Sequence, residues 1–238
     1  STGGDPYYPE LGNSGYDAFS YAVTLEIAIK DDGSRPVKGE AIMTATATQN
    51  LSKFSMDLRG LKVEKVTIDG KSVKFSRSAT KLFITPKAGI SQGRTFLVHV
   101  WYSGRPSSIN SPTGFVEGWL ETDDGVVAVG DPNNASAWMP VNDELSDRAF
   151  FSATLRVPDG YFALSNGRTI RAPKMVKGLK EFAWKASETM TSQNFLVAVG
   201  KFQTIGSQAL PGVWTYSAID PNIDPALRES FPPAQRLR

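Results

Sequence analysis

Strict two-residue alternation of apolar and polar side chains restricts this chain more than any other feature. In YAVTLEIAI (residues 21–29) and EAIMTATATQ (residues 40–49) every second side chain must point to one face of a sheet, because successive Cβ atoms of an extended chain leave on opposite sides. KVEKVTIDGKSVKFSR reads as a hairpin, since an Asp-Gly pair between alternating arms supplies the positive φ angles of a tight primed turn. Further strands are expected at 81–85, 94–102, 125–129, 150–158, 161–165, 180–186, 195–202 and 213–219. Asp159-Gly160, Asn166-Gly167 and Pro211-Gly212 mark turns between several of them. The expectation is an all-β, mainly antiparallel domain of roughly a dozen strands over residues 1–219. Residues 220–238 break the pattern: in IDPALRES, Asp224 suits a helix N-cap and Pro225 the first helical position.

Charge and composition exclude several function classes. Lysine and arginine number 26 against 24 aspartates and glutamates, a net charge of +2, and no block of like charges forms a basic stripe, so no nucleic-acid partner is expected. The chain has no cysteine, which removes disulfides, thiolate metal sites and thiol nucleophiles. Its one histidine, His99 in FLVHVWY, reads as a structural residue on a sheet face. No H-E-x-x-H, G-x-S-x-G, P-loop or G-x-G-x-x-G motif occurs, so no catalytic residue and no metal ligand set is assigned. The acidic cluster ETDD (residues 121–124) before Gly125 reads as a solvated hairpin tip rather than a cation loop. The longest apolar runs fall far short of the roughly 20 residues of a membrane span. The start STGGDPYYPELGNSG carries no initiator Met and reads as a trimmed terminus from which a signal peptide has gone, which makes a secreted or cell-surface protein the expectation. Asn50 and Asn134 head N-x-[ST] sequons, which matter only in a eukaryotic secretory pathway.

The least strand-like stretch is DPNNASAWMPVND, residues 131–143. It is similar to the segment E-P-x-x-A-x-x-x-x-P-x-x-D from the N-terminal domain of aminopeptidase N-type zinc metallopeptidases, the group that includes leukotriene hydrolase. GDPYYPELGNSGYD (residues 4–17) resembles the opening of bacterial, especially actinobacterial, members. FSMDLRGLKVEKVTIDGK, KLFITP, VWYSGRP, VPDGYFALSNG and SQNFLVAVGKF follow in the family's order.

The resemblance implies a large saddle-like β domain, sandwich-like or barrel-like, that is itself non-catalytic. In that family zinc, its two histidines and glutamate, and the G-x-M-E-N motif belong to the helical domain that follows. Residues 220–238 would then be a linker and the first residues of that catalytic domain, and the cofactor of this chain is none, with zinc held beyond it. The partners implied are the catalytic domain and the N-terminus of a peptide substrate. The acid of the E-P pair helps bind the substrate α-ammonium in this family, and Asp131 holds that position here. Aspartate in place of glutamate shortens the reach by one bond of roughly 1.5 Å. Pro132, Trp138, Pro140 and Asp143 are assigned to the loop structure, Asp143 through backbone hydrogen bonds.

Two rival readings come from other classes. A stand-alone secreted β-sandwich module binding carbohydrate or protein would use Trp119, Trp138 and Tyr102 as exposed stacking residues. A two-carboxylate glycosidase would set acids such as Glu117 and Asp131 across a cleft.

Overall fold

Burial along the first strand changes phase once, and the break shapes the largest sheet. In Tyr16–Ile27 the inward side chains are Tyr16 and Ala18 before the break, then Tyr21, Val23, Leu25 and Ile27. Passing from even to odd positions requires one surplus residue, and the register against Val37–Ala47 slips between Ala18 and Ser20. Phe19 is that residue; it is turned outward and stays exposed.

The computed structural model describes residues 8–111, 114–131, 134–210 and 213–223. Among them are twenty strands in four sheets, with no closed barrel. The spine of the ten-stranded sheet runs Arg168–Thr169, Leu179–Lys185, Arg148–Val157, Tyr16–Ile27, Val37–Ala47, Thr95–Gly104, Lys62–Ile68, Lys71–Ser72. A five-stranded sheet orders Phe162–Ser165, Val197–Gly200, Val126–Val129, Val116–Glu121, Ser108–Asn110. Phe54–Asp57, Lys81–Thr85 and Lys74–Arg77 form a third sheet, and Gln203–Leu210 pairs with Val213–Ile219. The fold is all-β, as alternation predicts. One described pairing is parallel: Tyr16–Ile27 beside Arg148–Val157, which brings the chain back to its first strand after more than half its length.

Three local readings change. At Asp69-Gly70 both φ angles are positive, 49° and 77°, as the primed turn requires. The second hairpin arm, however, divides: Lys71–Ser72 pairs back on Lys62–Ile68, whereas Lys74–Arg77 crosses to Lys81–Thr85 in another sheet. The strand expected at 195–202 shortens to Val197–Gly200, preceded by a 3-10 turn at Ser192–Asn194. The strands beyond the expected dozen are short, many of two to four residues, too few for a readable period. The helix start at Asp224 lies outside the described residues.

A single buried cluster joins the ten-, five- and three-stranded sheets, with Leu25, Val98 and Leu155 from the first, Trp119, Val126 and Val197 from the second, and Met56 and Ile84 from the third. Packing there is close enough to dictate residue size. Gly39 faces Tyr102 across the strand pair, and a Cβ at Gly39 would fall 2.3 Å from the Tyr102 ring.

Candidate functional site

After the Val126–Val129 strand, Ala137 and Trp138 of residues 134–143 pack on Gly118 and Trp119 of the neighbouring strand Val116–Glu121. Gly118, at φ 83°, breaks alternation in that neighbour, so Glu117, Gly118 and Trp119 are all buried. An added Cβ at Gly118 would meet the Ala137 methyl at 2.9 Å, so glycine lets the 3-10 turn Ala135–Ala137 lie directly on the strand. Trp138 is fully buried, its ring 6.3 Å from Trp119 and 5.3 Å from Phe195. Asn134 locks the turn from inside: its Nδ2 donates to the carbonyls of Gln193 and Phe195 at 3.1 and 2.8 Å, and its Oδ1 accepts the Trp138 indole N–H at 3.2 Å.

The far end of the segment enters a buried polar network. Asp57 and Val141 exchange both backbone hydrogen bonds, at 2.7 and 3.0 Å. Asp143 donates its N–H to Asp57 Oδ2 at 3.0 Å and accepts from Ser192 Oγ at 2.7 Å and the Ser136 N–H at 3.3 Å. Asp57 also accepts from Asn13 Nδ2 at 2.6 Å and Lys81 Nζ at 2.5 Å, and Lys81 donates onward to the Gly12 carbonyl at 2.8 Å. Asn142 Oδ1 takes the Asn13 N–H at 2.7 Å, and Asn142 N donates to the Tyr21 hydroxyl at 2.9 Å. Burial pushes the Asp57 carboxyl up to about 6, the Asp143 charge adds to the push, and Lys81 opposes it. Asp147, which accepts from Asn142 Nδ2, is likewise raised to about 6, mainly by burial.

Asp131 stands at the opposite extreme. It is exposed, and its backbone N–H lies 3.4 Å from Glu117 Oε1. Pro132 lies outside the described residues. Pro140 is buried with Trp138 and Asp143. Sequence reasoning passed over Asp57, Lys81, Asn13 and Asn142; the available signal was charged or amide residues at apolar-flanked positions, such as Asp57 in FSMDLRG.

The stacking residues of the stand-alone module are a correction. Trp119, Trp138 and Tyr102 are each at most 1% exposed and offer no face to a sugar. Their indole and ring surfaces are consumed by packing between sheets, the larger gain in free energy. Nor do Glu117 and Asp131 face each other across a cleft: Glu117 is buried, and its carboxylate approaches the main-chain N–H of Asp131. The ETDD turn closes a hairpin, and buried Arg35 takes the carbonyls of Thr122, Asp123 and Gly125. His99 lies on the outer sheet face, stacked on Trp101 with ring centroids 3.5 Å apart and paired with Glu40. The Asn134 sequon is buried. Among the described residues no group of three or more His, Cys, Asp or Glu could hold a metal ion. No helix among them is long and apolar enough to cross a membrane.

Comparison with known proteins yields relatives by profile and by fold. No curated protein matches the sequence. The M1 zinc metallopeptidase from Deinococcus radiodurans superposes with a TM-score of 0.81 at 23% identity, over 87% of this chain and 47% of that one. A two-domain M1 zinc metallopeptidase variant bound to L-arginine gives 0.83 at 23% identity, over 92% and 50%. A variant of the Deinococcus enzyme bound to a Tyr-Ser-Ala substrate gives 0.83 at 22% identity, over the same shares. This chain thus spans about half the length of these neighbours, which at such identity share its fold. The family profile described as the peptidase M1 N-terminal domain matches residues 17–193. With most of its length inside that match, the chain belongs to the peptidase M1 N-terminal domain family.

Proposed function

We propose that this chain is the non-catalytic N-terminal domain of a zinc aminopeptidase, that it packs on the catalytic domain of the parent protein, and that Asp131 binds the α-ammonium of a peptide substrate. The observation that carries the reading is the contrast within residues 131–143: Asp131 is exposed at the start of a segment whose remainder, from Asn134 to Asp143, is buried and clamped. Support also comes from neighbours that span about twice this length and are zinc metallopeptidases, one of them bound to a peptide substrate.

An aminopeptidase must distinguish a free N-terminus from an internal peptide bond, and a carboxylate does so by pairing with the charged amine. Such a charge-assisted contact contributes about 1.5 to 3 kcal/mol, roughly ten- to a hundredfold in transition-state binding. Because aspartate is one methylene shorter than the family's glutamate, the loop must lean further in or a water must bridge. In the parent enzyme, zinc held by the catalytic domain would supply the Lewis acid and the activated water. The residues of this chain would supply the positioning of the amine.

The test is kcat/KM for an alanyl substrate in the full-length protein carrying Asp131→Ala or Asp131→Asn. Both variants are expected to lose about ten- to a hundredfold. Wild-type efficiency in both, with stability unchanged, would return Asp131 to an ordinary turn residue.

A further inference from the structure

We infer that Glu117 is the positioning residue for Asp131, holding the main chain at the start of the loop so that the shorter carboxylate points where the substrate amine is to be bound. The inference rests on the amine-binding reading of Asp131 and adds the group that aims it. Glu117, the second residue of the Val116–Glu121 strand, is 4% exposed, and a carboxylate so buried must be compensated by hydrogen-bond donors. One donor is the Asp131 backbone N–H, 3.4 Å from Glu117 Oε1.

The placement belongs to a template rather than to an isolated contact. Three successive residues of one strand underlie the segment: Glu117 beneath Asp131, Gly118 against Ala137, and Trp119 against Trp138. Alternation already puts Glu117 and Trp119 on one face, and Gly118 between them, at φ 83° and without a Cβ, leaves room for the Ala137 methyl to approach the strand. Beyond Asp131, the inner half of the segment is anchored independently through Asn134 and Asp143. Glu117 therefore acts on the end that is otherwise exposed. The role depends on reach: glutamate spans from the strand to the Asp131 main chain, and a side chain one methylene shorter does not.

The experiment compares Glu117→Ala, Glu117→Asp and Glu117→Gln in the full-length protein, each alone and with Asp131→Asn. Two quantities are read: hydrogen exchange of the peptide containing Asp131, and KM and kcat for a free-amine substrate. Glu117→Ala and Glu117→Asp should speed exchange at Asp131 and raise KM about tenfold with kcat within about twofold, the loss of one backbone-to-carboxylate bond. Glu117→Gln keeps an acceptor at the same reach and should stay within about threefold of wild type. Combined with Asp131→Asn, the Ala and Asp substitutions should add little, since they act through the residue already lost. Should the Ala variant not fold, the contrast between Asp and Gln carries the same test. Unchanged exchange in the Asp variant, or fully additive losses, overturns the role of Glu117. Faster exchange in a working enzyme whose KM is indifferent to Asp131→Asn would instead sink the amine reading and leave Glu117 as a loop anchor.

Discussion

Asp131 and Asp143 bracket one thirteen-residue segment and are the same residue type, yet the fold treats them oppositely. Asp143 is 2% exposed and engaged by Ser136, Ser192 and, through its own N–H, Asp57. Asp131 is exposed, and its backbone N–H makes a long contact to Glu117. On the proposed reading, the difference separates two tasks. A carboxylate that fixes a loop must be buried, where each hydrogen bond is strengthened by low dielectric and each missing one is costly. A carboxylate meant for an incoming ligand must keep its oxygens uncommitted until the ligand arrives, and it contributes little to stability meanwhile.

The largest test of that contrast falls on the buried end. Lys81→Ala removes the cation paired with Asp57 and leaves a buried carboxylate with backbone and amide donors alone. Breaking a buried pair from one side costs about 3 to 5 kcal/mol, and urea unfolding should show a loss in that range. A loss under about 1 kcal/mol would mean that the network is not what holds the loop.

A middle-sized effect is expected in the pH dependence. Asp57 and Asp147 are both raised to about 6 in the folded state, against 3.8 for an ordinary aspartate. The folded chain therefore binds protons between about pH 6 and 4 that the unfolded chain does not, so these two groups add stability as pH falls through 6 and remove it as pH rises. His99, lowered by burial from its ordinary 6.5, acts in the opposite sense as pH falls below that value. The informative quantity is thus the difference between the wild type and Asp147→Asn: on going from pH 7 to pH 5 the variant should gain less stability than the wild type. An identical pH profile for the two would place Asp147 in ordinary solvent.

The smallest effect is expected at the exposed end. Asp131→Ala should change stability by no more than about 0.5 kcal/mol, the usual scale for a surface site, even while it lowers catalytic efficiency in the full-length protein. A stability loss comparable to that of Lys81→Ala would erase the distinction between the two ends and make Asp131 part of the scaffold.

Much of the architecture is written in local chemistry. Alternation in YAVTLEIAI and EAIMTATATQ commits those residues to strands, because only a period of two gathers their apolar side chains on one face. Asp69-Gly70 commits the turn through the positive φ angles it tolerates. The unusual composition of residues 131–143 marks the candidate loop, and the motif resemblance singles out Asp131 within it. Tertiary structure decided what no local period encodes. The parallel union of Tyr16–Ile27 with Arg148–Val157, the division of the 71–77 arm between two sheets, and the burial of Trp119, Trp138 and Tyr102 each depend on surfaces contributed by distant segments. The same holds for the polar network. Asn13, Asp57, Lys81 and Asn142 are spread over 129 positions, and each read singly is an ordinary polar residue. Folding gathers them because a buried charge is stable only where its partners converge, and that convergence is a property of packed sheets rather than of any one strand.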